Sequence, residues 1–337
     1  MEYIKDFQIE GAVIHIIDTS TEEAVLNEIY LELEEETYSF LYKHIFRCIN
    51  DEELKYANFK EGDLPVKKIC EDYRNNTMDL LEVSQKLAVH FFEGLKLYSM
   101  PSSCDFIVSL IKTDIGSFIA ILRMDYTKNY IHSIEVVEGK LGIKITPQMI
   151  GLPGSTQKLK SSAFIKISSN KDVSDIMLIN REDKDKNFFG EEFLGCSIFE
   201  NERDKTKNFV KAAEDFTRKS YKETADTAEI VRSSIKRKLK EDDDIDILEL
   251  SKEVFIEEEK QRDFIEFVKA KGVGEKIKID KDWLDKKYKR IRLKLDKDID
   301  LYIDEDTYSD NKRFEIRRNG DGTINMIIKH VTNYIEK

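Results

Sequence analysis

Proline disappears from this chain after Pro153: the remaining 184 residues contain none. The loss coincides with the onset of helix-like patterning, in a stretch where nothing of that kind breaks a helix. Cysteine is almost as sparse. Cys48, Cys70, Cys104 and Cys196 stand far apart, with no Cys-x-x-Cys pair and no histidine at ligand spacing. That spacing argues against a zinc site. In a reducing cytoplasm it also argues against disulfides, so buried free thiols are expected. No apolar run approaches the roughly 18 residues of a membrane span. The start Met1-Glu2-Tyr3-Ile4-Lys5-Asp6 lacks the basic and then apolar pattern of a signal peptide. A cytoplasmic protein without membrane contact is expected. Catalytic punctuation is missing as well: there is no phosphate loop, no Gly-x-Ser-x-Gly elbow, no His-Glu-x-x-His pair and no dinucleotide fingerprint. The sequence therefore predicts no enzyme and no cofactor.

A surplus of positive charge is also absent. Lys and Arg number 55 against 67 Asp and Glu, a net of −12. Residues 1–100 carry 10 basic against 21 acidic side chains, whereas residues 261–337 carry 19 against 16. Such a balance excludes a protein that coats DNA by bulk charge, because phosphate binding requires a locally basic surface. Any nucleic-acid contact is expected from the later segments.

Periodicity gives the architecture. Residues 7–17 alternate as a first strand, and residues 34–49, 66–74 and 78–97 place apolar side chains at helical intervals. Two β-rich runs, 106–111 and 118–122, flank a turn at Gly116; both are apolar on both faces, as central strands of a covered sheet are. Further strands are expected at 130–137, 140–145, 163–168 and 175–179, then helices at 208–221, 228–240 and 262–270. From Lys289 the period becomes two. The chain thus reads as α+β: an N-terminal mixed sheet with helices, then a helical segment and a C-terminal antiparallel β-meander. At 337 residues two domains are expected, an acidic α+β domain over 1–183 and a helical and meander domain over 184–337, divided in the charged connector 180–186.

Few residues invite chemistry. His15, flanked by Ile14 and Ile16, reads as a structural histidine. Asp125 with Glu138 and Lys140 imitates the Glu-x-Lys spacing of metal-dependent nucleases, a short pattern that arises easily in a chain with 36% charged residues. The run Asp242-Asp243-Asp244 reads as a solvated loop rather than a metal site, since adjacent side chains diverge. Gly151-Leu152-Pro153-Gly154-Ser155-Thr156 reads as a plain loop rather than an anion nest. Gly272 reads as a helix cap.

Two cationic rows remain. On the helix at 228–240, Arg232, Lys236 and Lys240 recur every fourth residue. On the first C-terminal strand Arg290, Arg292 and Lys294 share a face, preceded by Lys286, Lys287 and Lys289; Arg313, Arg317 and Arg318 join from a neighbouring strand. Such spacing presents cations to successive phosphates without reading sequence. Dipole complementation at a helix end and cross-strand pairing with nearby acids explain the same residues without a ligand.

The segment Asn187-Phe188-Phe189-Gly190-Glu191-Glu192-Phe193-Leu194-Gly195-Cys196, followed by Ala212-Ala213-Glu214-Asp215-Phe216-Thr217, resembles the central signature of bacterial nucleoid-associated proteins of the NdpA/YejK type. The resemblance continues through Leu250-Ser251-Lys252-Glu253, Phe264-Ile265-Glu266-Phe267 and Lys271-Gly272, covering about residues 180–330, with the first half matched more weakly. It implies a cytoplasmic protein of the nucleoid with double-stranded DNA as partner and no established enzyme activity. Phe189, Phe193, Leu194 and Gly195 match as packing residues expected to shape an interhelical turn. An adaptor that reaches the nucleoid by binding a DNA-processing protein through the acidic first half is the alternative, and a homodimer is compatible with the sequence.

Overall fold

Strands that are apolar on both faces require cover on both, and the first half of the chain supplies it. The computed structural model describes residues 4–137, 139–167, 175–182, 187–295 and 299–333. They fall into two compact units, Glu2–Phe199 and Glu200–Lys337.

In the first unit the elements run β1 (Phe7–Asp18), α1 (Glu35–Ile49), β2 (Lys55–Phe59), α2 (Pro65–Arg74), α3 (Leu80–Leu97), β3 (Ser103–Thr113), β4 (Gly116–Asp125), β5 (Thr127–Val137), β6 (Lys140–Gly151), β7 (Ser161–Lys166) and β8 (Ile176–Asn180). A π-helical turn (Phe188–Phe193) and β9 (Cys196–Phe199) complete it. Seven strands form one sheet in the order β1-β3-β4-β7-β8-β2-β9. Each pairing is antiparallel, so the sheet expected to be mixed has only antiparallel neighbours among its described strands. One face buries Phe106, Val108, Ile119 and Ile121 against α2, α3 and the π-helical turn; the other buries Ile107, Ile111, Ala120 and Leu122 against α1. Each fully buried side chain of this size contributes roughly 1.5–3 kcal/mol. The start of α3 is fixed by a reciprocal capping box, in which Asp79 accepts from the Glu82 amide and Glu82 from that of Asp79. All four thiols are free and buried; burial pushes that of Cys70 up to about 12.

The first part of the nucleoid-type signature, residues 187–196, sits inside this first unit, and the second part, residues 212–217, lies in the other. Phe188, Phe189 and Phe193 ring Phe91 at centroid distances of 5.8, 6.2 and 5.0 Å. A Cβ on Gly94 of α3 would lie 2.9 Å from the Phe188 ring, and Gly195 adopts φ +64°, which favours glycine. The interhelical turn expected at Phe189–Gly195 is therefore a plug between β8 and β9, packed under α3. This packing carries the first unit on to Phe199, beyond the boundary expected at 183; residues 183–186 of the expected connector lie outside the described residues.

The second unit contains α4 (Glu202–Ser220), α5 (Ala225–Glu241), β10 (Asp244–Asp246), α6 (Ile247–Val254), α7 (Glu258–Ala270), β11 (Lys276–Lys278), α8 (Lys281–Tyr288), β12 (Arg290–Leu295), β13 (Ile299–Asp304), α9 (Glu305–Ser309), β14 (Phe314–Arg318) and β15 (Ile324–Ile328). Phe216 of α4 meets Phe255, Phe264 and Phe267 edge-on at 5.2–5.7 Å, and Val231, Ile235 and Leu239 of α5 close the same core. Helix α7 ends as the glycine pattern requires: Gly272 has φ +81°, its amide bonds the Lys269 carbonyl, and the Val273 amide bonds that of Val268. The molecule is α+β. Its C-terminal strands are a series of two hairpins, β12-β13 and β14-β15, in separate two-stranded sheets rather than one continuous meander, because α9 intervenes. Among the described residues no helix is long and apolar enough to cross a membrane.

Candidate nucleic-acid interface

The cations of α5 are already partnered. Arg232 forks onto Glu214 of α4 with bonds of 2.8 and 2.9 Å. Lys236 and Lys240, one turn apart, converge on Glu305 at the start of α9, with Lys236 at 3.1 Å. Burial works to raise the Glu305 carboxyl, yet the two lysines outweigh it and hold it below the usual carboxylate range. Lys236 also lies over the Tyr288 ring at 4.8 Å and the Tyr308 ring at 5.2 Å. The row expected to face phosphates thus joins α5 to α4, α8 and α9.

The strand row is divided. Register sets Arg290 opposite Asp304, Arg292 opposite Tyr302 and Lys294 opposite Asp300. The Arg290 side chain and the acidic residues Asp296 and Asp298 lie outside the described residues. Arg292 bonds both oxygens of Asp300 at 3.2 Å; its guanidinium holds that carboxyl below its usual range, and Lys294 adds to the effect. Cross-strand pairing of this kind is what a solvated ribbon face does without a ligand. Arg317 pairs with Glu315 at 3.3 Å and Arg318 with Glu229, so neither joins β12 as a neighbouring strand. Lys286, Lys287 and Lys289, at the end of α8 and the entry to β12, are exposed, as are Lys294 and Arg313. No ion pair to the side chains of Lys287, Lys289 or Arg313 occurs among the described residues. Their positive charge remains available to an anion.

Spatial neighbours add one cluster that linear spacing does not reveal. Lys219, in the last turn of α4, and Lys271, at the cap of α7, each lie 5.8 Å from the Phe267 ring centroid. Both sit at helix C-termini, whose partial negative charge they offset; a lysine in the last turn of α4 and one just past the end of α7 were the signals in the sequence.

The residues that suggested catalysis have structural roles. His15 is buried: its Nδ1 accepts from the Asn27 amide at 3.1 Å, so Nε2 carries the proton and donates to Ser84 Oγ at 3.0 Å. Ser84 in turn donates to the Leu81 carbonyl. The histidine therefore withdraws no proton from this serine, and burial lowers its pKa to about 4. Asp125 pairs with buried Arg123 at 3.0 Å. Lys140 stands at the tip of the β5-β6 hairpin, paired with Val137, while Thr127 and Gly151 close its base. Ten residues of strand separate base from tip, roughly 33 Å, so Asp125 and Lys140 do not converge; Glu138 lies outside the described residues. Asp242 and Asp243 face Lys238 and Lys281 at 3.3 and 3.7 Å. The loop after Gly151 is pinned by its carbonyls, Pro153 to His44 and Thr156 to Arg47, and its Gly154 amide is taken by Gln157. No group of acidic, histidine or cysteine side chains suited to a metal occurs among the described residues.

Arg123 has a further role. It bonds Glu182 at 2.8 Å, and the other oxygen of Glu182 accepts the Phe189 amide at 3.0 Å. The buried pair thus anchors the aromatic plug to β4.

Compared with known families, the chain matches the model described as nucleoid-associated protein YejK over residues 13–336. No curated protein matches it. The match spans both units, including the first half where the signature residues alone were less informative. The chain belongs to this family of nucleoid-associated proteins.

Proposed function

From membership of that family we propose that this chain binds double-stranded DNA in the bacterial nucleoid without reading its sequence, through the cationic stretch from the end of α8 onto β12. The observation that carries the reading is the contrast among its cations: Arg232, Lys236, Lys240, Arg292, Arg317 and Arg318 are held by carboxylates, whereas exposed Lys287 and Lys289 have no ion-pair partner among the described residues. Lys294 extends the stretch along β12, half-balanced by Asp300. Two or three phosphates are then neutralised, so binding is weak and non-specific, with log K falling by roughly 2–3 per tenfold increase in salt. No step in this reading requires a metal, a cofactor or bond cleavage.

The test is a salt titration of a fluorescent duplex against the full chain. Lys287→Glu with Lys289→Glu lowers affinity at least tenfold at low salt and reduces the slope by about two. An unchanged slope moves the contact elsewhere. Absence of binding at the lowest salt, with a DNA-processing protein retained on the purified chain, replaces direct contact by an adaptor.

A further inference from the structure

The β5-β6 hairpin stands outside the seven-stranded sheet as a two-stranded ribbon of its own. Its register pairs Ile134 with Ile143 and Val136 with Leu141, and sets Tyr130 and Ile145 on the same face. These six apolar side chains are 63–77% exposed. The opposite face is the polar one: Glu135 pairs with Lys144, and Ser133 bonds Thr146 at 2.9 Å. The ribbon is thus amphipathic apart from His132 on the apolar face and Ile131 on the polar one, with the apolar side turned to solvent. A ribbon of two strands is marginal in water by itself, and a contiguous apolar face of this size marks a contact surface.

We propose that this face is a self-association surface, packing against the same face of a second copy of the chain. Charge favours that occupant. The chain carries a net −12, but residues 127–151 hold three lysines against two glutamates, and the six large apolar side chains of the face carry no charge; His132, opposite Ile145, lies among them, and Lys128 stands over the Tyr130 ring at one end. Two acidic copies therefore meet here with less repulsion than through the acidic first hundred residues, and the six apolar side chains offer a nucleic acid no partner. Area favours it too. Six side chains expose on the order of 70–100 Å² of apolar surface each. Stacking two faces removes roughly 800–1,200 Å² in all, around the ~1,000 Å² a specific interface needs. The contact is isologous, the same patch serving both copies about a twofold axis, which closes at a dimer.

Sedimentation velocity over a concentration series of the full chain tests this. The wild type shifts from monomer to dimer in the range of roughly 1–100 µM, as a small interface permits. Ile143→Lys raises the dissociation constant at least 100-fold. Ile131→Lys, on the opposite face of the same ribbon, changes it less than threefold, and both variants keep the wild-type circular dichroism. A wild type that stays monomeric at 200 µM (about twice the top of that range) overturns the proposal, whether or not it floats with phosphatidylcholine and phosphatidylglycerol vesicles. So does an Ile143→Lys variant that dimerises normally, or equal loss in both variants.

Discussion

Two antiparallel ribbons, one in each unit, cover their apolar faces to different degrees. In β12-β13 the apolar side is covered at one end, where Ile303 is only 7% exposed, and opens at the other, where Ile299 is 57% exposed; its charged side balances itself through Arg292 and Asp300. In β5-β6 the charged side balances itself through Glu135 and Lys144, but the apolar side is bare. Alternation alone is therefore no guide to burial: it fixes which residues share a face, and the rest of the fold determines whether that face is covered. Both units bury charge, but they use their ion pairs differently. In the first, Arg123, Glu182 and the Phe189 amide form one buried group that holds the plug; the second buries Arg203, Asp204 and Asp280 and ties α5 to α4 and α9 by partly exposed pairs.

The contrast between buried and surface pairs gives the largest expected effect. Glu182→Ala leaves Arg123 without its nearest partner and the Phe189 amide unsatisfied, costing about 3–5 kcal/mol in denaturant unfolding of the first unit. Arg232→Ala removes a half-exposed pair and costs less than about 1 kcal/mol. Equal costs would erase the distinction. Between the ribbons, Ile303→Asp places a carboxylate on a covered face and destabilises by about 3 kcal/mol. Ile143→Asp, on the bare face, stays within about 0.5 kcal/mol at concentrations where the chain is monomeric. Thermal melts at low concentration separate the two.

A pH titration sharpens the difference between units. Burial lowers the pKa of His15 to about 4, and burial is also the first cause of the lowered values of His44 and His90, all in the first unit. Above pH about 6.5 these imidazoles are neutral folded or unfolded. Between 6.5 and 4 the unfolded chain takes a proton that folded His15 refuses, so stability falls with falling pH, by up to about 3 kcal/mol from this residue. His15→Leu flattens that limb. A first unit whose stability is level from pH 7 to 4.5 contradicts the assignment.

Much of the fold was legible where patterns are local. Strand β1, the β3-β4 hairpin with its turn at Gly116 and the helices α1 to α5 follow from spacing that neighbours impose on one another. Strand β2 was not legible: Lys55-Tyr56-Ala57-Asn58-Phe59 is short and weakly alternating, and it becomes a strand by insertion between β8 and β9, partners more than a hundred residues away. Short α8 carries mostly charged residues and α9 is little more than one turn, although Asp280, which caps the Trp283 amide at 2.9 Å, was a usable start signal for α8. The candidate site suffered for a related reason. Cations can be counted along a helix or strand, but the acids that neutralise them come from elsewhere in the sequence; Glu214 lies 18 residues before Arg232, and Glu305 lies 65 after Lys240. Among the described side chains of that group, Lys287, Lys289 and Arg313 have no ion-pair partner and keep the charge that the sequence suggested for all of it.

The division of labour between the ribbon of the first unit and the cations of the second can be read in one measurement, sedimentation velocity of the full chain with a labelled 30-base-pair duplex (a length on the order of a few contacted helical turns). The account predicts that Ile143→Lys sediments as a monomer that still carries DNA, while Lys287→Glu with Lys289→Glu sediments as a dimer that does not. A variant of either kind that loses both properties together, or neither, contradicts it.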